Sequence, residues 1–428
     1  MTTLHRLAEF AAGTGLDDLP EAVRVRGRWI LADTLGCIAA GNKAAEVQAL
    51  ARIHARRGGP AEAEVIGTGL RLPRAAAAEV NGAASTWLDL DEGNLHTKGH
   101  AGTQIIPAVL AEAQAEGMSG AALLRAVILG YEIGCRVYGA TEARLAVHPH
   151  GTYGPLAAAA ALACLRGFDA ASMAGVMGLA AGLGVVSSRQ TLRDGATIRN
   201  AYTAASARAA FHAFDLAEAG FSGEHDPLPS VFGALYGTGF DAGRCLQGLG
   251  EEWLVLRNYF KLHPSVRYAH SALDLVDDLR AGGGLAVDAI TRIAFESYFM
   301  ATTLADPVVT TGFGTRFSIP FLVATRLLEA DLDITADGQA VLGRAEIQAL
   351  ARKVTVAENA AFTAAYPGRQ PSRMRIWLSD GRCLSAEADF MRGEAERPHP
   401  EAALAAKFAA LWPEGDLGRW LGIDGLSV

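Results

Sequence analysis

The sequence predicts a mainly α-helical protein, in which a smaller α+β domain is inserted before a C-terminal return to a large all-helical domain. Apolar residues recur at helical spacing through the first two thirds of the chain. After about Pro264 the pattern changes to alternating runs and a hairpin signal, and helical spacing returns at 399–412. Because 428 residues exceed one simple core, we place the helical domain at 1–264 and 397–428 and the α+β domain at 265–396.

Capping residues, early prolines and terminal glycines mark the helices of the first domain. In chain order, the predicted helices run from Asp17-Asp18-Pro20 to Gly41, from the N-cap Ser119 to about 137, from Pro155 to about 166, from the N-cap Asp169 onward, and from 201 to about Gly220. The uncharged run 170–188 is nearly long enough to span a membrane. It consists mostly of Ala, Gly and Ser, so we expect a buried, closely packed helix pair there.

The inserted domain carries the strand signals. The segments "ITRIAFESYF" (290–299) and "KVTVAEN" (353–359) are rich in β-branched and aromatic residues or alternate in polarity, as strands do. The segment 372–390 predicts a hairpin whose strands are joined by Asp380-Gly381 in a two-residue primed turn. Helical spacing then returns in "HPEAALAAKFAALW".

Composition excludes several classes of function. A net charge of −8 gives no basic surface for nucleic acid, and an anionic substrate therefore needs a local basic pocket. The five cysteines form no CxxC pair, which fits a reducing cytoplasm. The N-terminal residues lack the apolar core of a signal peptide. We expect a cytoplasmic protein that has neither nucleic acid nor membrane as a partner.

The stretch "WLDLDEGNLHTKGHAG" (87–102) concentrates ionisable residues beside glycines. Three interpretations compete: a metal clamp, a solvated loop, and a loop for acid/base chemistry or substrate binding. His96 and His100 have the spacing of zincin helices, but Glu does not follow His96 and Gly99 weakens a helix there. The acid/base or substrate-binding interpretation is therefore favoured, and no metal is expected.

Three further stretches could carry chemistry. In "VHPHGTYGPL" (147–156), His148 and His150 precede a Pro-started helix, whose N-terminus favours anions; the alternative is a pair of core or capping histidines. The charged Arg199 lies at another helix start, and its alternative is a solvated surface role. In "NYFKLHPSVRYAHSALD" (258–274), Lys261, Arg267 and His270 lie at the domain boundary, where clefts form.

The last of these stretches also contains Ser271 to Asp274, which resembles a capping box and would place His270 at a helix entrance. The chain has only five lysines, and two of them, Lys98 and Lys261, fall in the histidine-containing stretches. Lys can change protonation state on burial whereas Arg stays charged, so this distribution hints at chemistry.

The order of the motifs along nearly the whole chain resembles the MmgE/PrpD family, which includes 2-methylcitrate dehydratases, cis-aconitate decarboxylases and iminodisuccinate epimerases. The matching segments are "ILADTLGCIAAG", the Asp-rich loop from "NGAASTWLDLDEG" through "GYEIGCRV", "HPHGTYGPL", "GFSG", "YFKLHPSVRYAHSALD" and "RFSIPFLVA". The resemblance implies a helical domain with a smaller lid domain, an active site in the cleft between them, a homodimer, and no metal or cofactor.

The resemblance also implies roles for individual residues, which add to those suggested by the stretches themselves. We expect catalytic roles for His100, His148, His270 and Lys261, and substrate-binding roles for Asp89, Asp91, Lys98, His150, Arg199 and Arg267. The substrate would be a small carboxylate. A histidine that titrates near neutral pH suits removal or donation of a proton next to a carboxylate, and nearby cations would stabilise the enolate-like intermediate.

Some positions depart from the family pattern. The usual Asp-Asp-Thr-His core reads "DEGNLH", so that Glu92 and Gly93 replace an acid and a hydroxyl, and Arg199 stands where a Lys is common. Tyr298 lies at a poor offset for the tyrosine of the decarboxylases, which weighs against cis-aconitate decarboxylation. We therefore expect a lyase that dehydrates a hydroxy-polycarboxylate of the 2-methylcitrate type. The alternatives are an epimerase, isomerase or decarboxylase with the same acid/base site, and a non-catalytic carboxylate-binding protein.

Overall fold

Helices dominate the chain and sheet is scarce, which confirms the predicted fold class. The computed structural model describes residues 1–329 and 338–428. In chain order its α-helices are α1 (Thr3–Gly13), α2 (Glu21–Gly41), α3 (Ala45–Arg57), α4 (Arg74–Ser85), α5 (Ala101–Glu116), α6 (Gly120–Gly139), α7 (Gly154–Leu165), α8 (Ala170–Ala181), α9 (Gln190–Asp194), α10 (Ile198–Glu218), α11 (Ala242–Leu246), α12 (Arg267–Ala281), α13 (Phe299–Thr302), α14 (Ile319–Leu328), α15 (Gln339–Leu342), α16 (Ala345–Ala351), α17 (Ala360–Ala365), α18 (Glu401–Leu411) and α19 (Leu417–Leu421).

The strands are short outside one region. They are β1 (Ala63–Glu64), β2 (Arg71–Leu72), β3 (Gly93–Asn94), β4 (Thr141–Ala143), β5 (Gly237–Phe240), β6 (Asn258–Tyr259), β7 (Ile290–Ser297), β8 (Val354–Glu358), β9 (Ser372–Leu378) and β10 (Cys383–Ala388). A π-helix at Leu228–Tyr236 precedes β5.

The chain divides into two units. The first unit comprises Met1–Arg189, Ile198–Phe260 and Glu401–Val428, and the second comprises Gln190–Thr197 and Lys261–Pro400. The short segment 190–197 belongs to the second unit and not, as the sequence pattern predicts, to the helical domain. It is held there partly by Thr311, whose hydroxyl donates to the Gly195 carbonyl at 3.3 Å.

Closely packed small residues build the core of the first unit. Every residue of α7 is buried, and a Cβ at Gly130 of α6 would lie 2.6 Å from the Ala161 Cβ of α7. The alanine-rich sequence thus lets the helices approach closely, as interior packing at crystal-like density requires. The predicted caps are confirmed, since Ser119 accepts from Ala122 N at 3.3 Å and Asp169 from Ser172 N at 2.8 Å.

Two predicted helical features are wrong. The run 170–188 forms a single helix, α8, and continues as irregular chain after Ala181. Ser271 and Asp274 do not cap a helix, because α12 already begins at Arg267, with Val266 as its N-cap. His270 therefore lies in the first turn of α12. In the described part of the chain, no helix combines the length and apolarity needed to cross a membrane.

The second unit contains a four-stranded sheet in the order β10-β9-β7-β8. β7 and β8 are parallel and the other pairs are antiparallel. The predicted hairpin is confirmed, but its loop has three residues, because Leu378 N donates to Arg382 O at 2.9 Å and Gly381 N to Leu378 O at 3.1 Å. Gly381 adopts φ +89°, the left-handed conformation that closes a type I turn with a bulge and displaces the expected primed turn.

Candidate active site

The loop that precedes α5 holds an unusual backbone conformation. Among the described residues, Asp89 (φ 49°) and Lys98 (φ 51°) are the two non-glycine residues with positive φ. Such conformations cost free energy and persist where surrounding contacts enforce them, often at functional sites. Pairing of β3 with β6 fixes the middle of the loop, with Gly93 opposite Tyr259.

His100 ends this loop as the N-cap of α5, and its ring orientation is fixed from one side. Its Nδ1 lies 2.6 Å from the Glu92 carbonyl oxygen and 2.9 Å from Asp91 Oδ2. A carbonyl oxygen only accepts hydrogen bonds, so Nδ1 must carry the proton and donate. In the neutral ring Nε2 then holds the lone pair, which makes it the nitrogen that can accept a proton.

His148 has the opposite tautomer. Its Nδ1 accepts from the backbone N–H of His150 at 3.1 Å, so its proton is on Nε2. Burial, followed by the positive charges of Arg199 and Arg189 and by His100, holds the pKa of His148 well below its ordinary value. His148 is therefore a neutral imidazole with an N–H to donate.

The three histidines of this region form one cluster of rings. The ring of His150 is 5.1 Å from that of His100 and 4.5 Å from that of His148, in edge-to-face geometry, measured between centroids. All three side chains are at least nine-tenths buried. The cluster combines a proton acceptor and a proton donor inside a low-dielectric environment, which strengthens their electrostatic interactions.

Two residues that sequence reasoning missed hold the His148–His150 turn in place. The Ser187 hydroxyl lies 2.7 Å from the His148 carbonyl oxygen and 2.8 Å from that of His150. Gln104 of α5 accepts from Gly151 N at 2.8 Å. Ser187 lies outside the recognised motifs and Gln104 is an uncharged residue within a long matched segment, so only the fold could identify their contacts.

Arg199 pairs with Asp89. Its Nη2 donates to Asp89 Oδ1 at 2.8 Å and its Nη1 to the Thr86 carbonyl at 3.2 Å. Both side chains are almost fully buried, so the surface alternative for Arg199 is wrong. The pair is charge-assisted, and it lies near enough to His148 to influence that ring electrostatically.

Lys98 points elsewhere in the first unit. Its Nζ donates to the Thr141 carbonyl at 2.9 Å and lies 5.5 Å from the centre of the Tyr138 ring. Burial lowers the pKa of its ammonium to about 8, and the cations Arg244 and Arg189 act in the same direction. Within the described residues, the ammonium of Lys98 thus contacts Thr141 and Tyr138 and not the rings of His100, His148 and His150.

The predicted site residues of the second unit surround the Ser265 carbonyl. Lys261 Nζ donates to this oxygen at 3.3 Å, and His270 Nε2 donates to it at 3.2 Å. His270 Nδ1 lies 3.4 Å from Arg267 Nη1, which can only donate, so both ring nitrogens are engaged. Burial, followed by Arg267, His263 and Lys261, holds the pKa of His270 well below its ordinary value.

Arg267 and Tyr298 belong to a second buried network in this unit. Arg267 pairs with Glu394 at 3.2 Å, Gln370 donates to Glu394 at 3.0 Å, and the Tyr298 hydroxyl donates to Gln370 Oε1 at 3.0 Å. The Tyr298 ring also stacks on Tyr366, with centroids 4.7 Å apart. Sequence reasoning missed His263, whose Nε2 lies 3.4 Å from Asp274 Oδ1 and whose ring packs against His270.

Sequence reasoning also missed a buried carboxyl network under His100. Asp33 of α2 accepts from Lys407 Nζ at 2.6 Å and from Glu92 N at 3.0 Å. The Glu92 carboxyl accepts from the Tyr131 hydroxyl at 2.6 Å and from Gly102 N at 2.9 Å. In the described residues, no group of three or more His, Cys, Asp or Glu side chains is placed to hold a metal ion.

Comparison with known proteins decides the family. The MmgE/PrpD N-terminal domain matches residues 5–239, which is more than half of the chain, and the MmgE/PrpD C-terminal domain matches residues 263–414. The chain belongs to the MmgE/PrpD family. The resemblance inferred from the ordered motifs is thereby confirmed.

Relatives within the MmgE/PrpD family carry the name of one reaction. The chain is 22% identical to cis-aconitate decarboxylase of Aspergillus terreus over 436 residues, covering 95% of this chain and 88% of that protein. It is 27% identical to the cis-aconitate decarboxylase-like protein oryM of Aspergillus oryzae over 320 residues, covering 68% of this chain and 64% of that protein. Family and relatives support a lyase-type function, and at this identity they leave the choice between dehydration and decarboxylation open.

Proposed function

We propose that this MmgE/PrpD protein is a lyase that dehydrates a small hydroxy-polycarboxylate of the 2-methylcitrate type by removing a proton next to a carboxylate. The observation that carries the proposal is the pair of opposite tautomers, with His100 Nε2 as acceptor and His148 Nε2–H as donor. Dehydration needs both roles, because a base takes the carbon-bound proton while an acid helps the hydroxyl group leave as water.

Asp91 supports the proton-accepting role of His100. Its carboxylate is 2.9 Å from His100 Nδ1, and it therefore stabilises the imidazolium that forms when Nε2 takes the proton of the substrate. His148 donates a hydrogen bond from Nε2 to the leaving hydroxyl group, and the proton that His100 took from carbon leaves with that hydroxyl as water, so both rings are neutral again after one turnover. Each proton-transfer role contributes about 10²–10⁴-fold to the rate.

Binding of the substrate carboxylates is assigned to the fixed cations. Arg199 lies near His148 and is held by Asp89, so its guanidinium is oriented before substrate binds. We retain Asp89, Asp91, His150 and Arg199 in the first unit and Arg267 in the second as substrate-binding candidates. Lys98 stays a weaker candidate, because its ammonium is engaged by Thr141. His270 and Lys261 remain candidates for catalysis, and a mutation comparison given below tests that role.

Decarboxylation is the second candidate, and the names of the relatives favour it. The same acid/base cluster could protonate the carbon from which carbon dioxide leaves. The buried Tyr298 hydroxyl, which donates to Gln370, offers no support for a tyrosine-assisted decarboxylation. An epimerase would use proton removal and return without loss of a group.

The test is turnover of the purified full chain with 2-methylcitrate, citrate and cis-aconitate in heavy water, followed by NMR and ultraviolet absorbance. Growth of enoate absorbance with a hydroxy-polycarboxylate is the expected result. Carbon dioxide release from cis-aconitate would replace dehydration by decarboxylation, and deuterium uptake without a new product would indicate an epimerase. Carboxylate binding without any of these signals would indicate a binding protein.

Two further expectations belong to the proposal. Turnover should survive exhaustive treatment with a metal chelator and need no added cofactor, since acid/base groups suffice for the steps above. The chain should form a homodimer, which light scattering of the purified protein can measure. Loss of activity on chelation would remove the cofactor-independent mechanism.

A further inference from the structure

Glu92 contacts the candidate base through two different groups. Its carbonyl oxygen accepts from His100 Nδ1 at 2.6 Å. Its carboxyl Oε1 accepts at 2.9 Å from the backbone N–H of Gly102, in the first turn of the helix that His100 caps. The approach is tight, because a Cβ at Gly102 would lie 2.9 Å from Oε1. One residue thus holds both the ring of His100 and the backbone that follows it.

The remaining polar groups of Glu92 are also engaged. Its N–H donates to Asp33 Oδ2 at 3.0 Å, and Asp33 in turn binds Lys407 of the C-terminal helix α18. Its Oε2 accepts from the Tyr131 hydroxyl at 2.6 Å. The carboxyl is fully buried, so these contacts, not water, determine its charge.

We propose that Glu92 is the positioning residue of His100: its carbonyl fixes the tautomer of the ring, its carboxyl anchors the helix that begins after the ring, and ionisation of that carboxyl changes the protonation of the ring. The residue has no direct part in the chemistry and acts only through His100. Glu92 lies in the proposed catalytic site, and in that sense its role depends on the proposed function. The fixed tautomer of His100 and its coupling to Glu92, however, exist without substrate.

The charges around Glu92 determine the pH at which it acts. Burial raises the pKa of Glu92 to about 8, the hydrogen bonds from Tyr131 and Gly102 lower it, and the Asp33 and Asp91 carboxylates raise it further. The titratable and charged groups facing it are Arg26 and Asp33 of α2, Tyr131 and Cys135 of α6, Tyr153 before α7, and Asp91 and His100 of its own loop, with Lys407 behind Asp33. The raised pKa brings ionisation of Glu92 close to the working pH range, and the negative charge that the carboxyl then gains lies against the first turn of the helix that His100 caps.

The experiment is two-bond ¹H–¹⁵N NMR of the full chain with ¹⁵N-labelled histidine and no substrate, from about pH 6 to about pH 10. His100→Gln assigns the ring signals. We expect Nδ1 of the neutral ring to be protonated, and the His100 nitrogen shifts to show an additional inflection near pH 8, where Glu92 ionises. Glu92→Gln keeps the shape of the side chain and an acceptor oxygen for Gly102 N, places an NH2 donor against the Tyr131 hydroxyl, and should abolish this inflection.

Two further variants distinguish a specific effect of Glu92 on His100 from a general disturbance of the surrounding core. Tyr131→Phe removes a hydrogen bond that favours the ionised carboxyl, so the inflection should move to higher pH by about one unit. Glu132→Gln removes a neighbouring buried carboxyl on the same helix, one that binds Arg136, Leu254 N and Val255 N instead of the His100 loop. It should leave the inflection unchanged.

The inference is overturned by a protonated Nε2 in neutral His100, by the absence of the inflection in the wild-type chain, or by its persistence in Glu92→Gln. If Glu92→Gln does not fold, the direction of the Tyr131→Phe shift decides, and an unmoved inflection in that variant also refutes the coupling. Because no turnover is measured, a chain that shows the coupling but has no lyase activity would refute the proposed function and leave this inference standing.

Discussion

The histidines of the first unit and those of the second unit differ in how many ring nitrogens the protein occupies. In the described contacts, backbone groups hold only Nδ1 of His100 and Nδ1 of His148, in opposite tautomers. His270 of the second unit, by contrast, is held on both nitrogens, by Ser265 O and by Arg267. A ring held on one nitrogen is oriented and can still transfer a proton, whereas a ring held on both is suited to maintaining structure.

The surrounding charges distinguish His100 from His270, whereas His148, near Arg199 and Arg189, resembles His270 in this respect. His100 faces the Asp91 carboxylate, which stabilises its protonated form, while His270 faces the cations Arg267 and Lys261, which oppose protonation. Burial next to cations keeps His270 neutral throughout the physiological range. Chemistry by imidazole is therefore expected in the first unit, and the resemblance alone could not have ranked His100 above His270.

The largest predicted difference is in the rate constants of three alanine variants. His100→Ala and His148→Ala should each lower kcat by about 10²–10⁴-fold, since each removes one proton-transfer group. His270→Ala should lower kcat by less than about 10-fold and should mainly reduce the free energy of unfolding, by about 1–3 kcal/mol, because it breaks buried hydrogen bonds. Steady-state kinetics and urea unfolding measure both quantities.

The exposed His212 on α10 provides the control, and His212→Ala should change neither quantity measurably. An equal loss of kcat in His270→Ala and His100→Ala would erase the contrast between the units. It would restore His270 as a catalytic residue, as the resemblance implied.

Much of the architecture could be predicted from the sequence because it depends on local signals. Ser119 and Asp169 cap helices through contacts three residues away, and the hairpin around Gly381 needs one glycine in the left-handed conformation. The predicted two-residue primed turn was wrong, because the pair Asp380-Gly381 does not show how many loop residues stay outside the hydrogen-bonded strands. The segment 190–197 joined the second unit through tertiary contacts that leave no local pattern.

The candidate site was only partly predictable for the same reason. His100, His148 and Asp91 stand out because ionisable residues are concentrated beside glycines in their stretches. Lys407, by contrast, lies 374 positions from Asp33, which it binds, and it is a single charged residue in an alanine-rich helical segment of the sequence. Its contact with Asp33 depends on chain topology, and sequence patterns do not predict contacts between residues so far apart in the chain.

An effect of intermediate size, on the KM for the carboxylate substrate, is predicted for Arg199→Lys. Lys keeps the positive charge but lacks the planar fork with which the guanidinium bonds Asp89 and Thr86, so its cation is less well oriented and one charge-assisted bond to a substrate carboxylate is lost. We expect KM for the carboxylate substrate to rise about 10-fold, which corresponds to the loss of one such bond, while kcat changes by less than about 3-fold.

Arg208→Lys, an exposed change on the same helix, should leave KM and kcat unchanged. A fall in kcat with unchanged KM in Arg199→Lys would mean that the guanidinium acts in the transition state and not in binding. Substantially improved turnover would instead mean that an amine at this position is a working base, as the lysine common in the family could be.

The smallest effect is expected at Tyr298, on the structural side of the comparison. Burial, followed by Tyr366 and Tyr268, raises the pKa of its hydroxyl well above the ordinary value, so it stays protonated and donates to Gln370 at every working pH. Tyr298→Phe should leave kcat within about 2-fold and reduce the free energy of unfolding by about 1 kcal/mol, the contribution of one buried hydrogen bond. Tyr298→Leu also removes the stack on Tyr366 and should cost about 2–3 kcal/mol with the same kcat. A loss of kcat in Tyr298→Phe beyond about 10-fold, with stability retained, would show that this hydroxyl takes part in the reaction, because the hydrogen bond to Gln370 acts on folding alone.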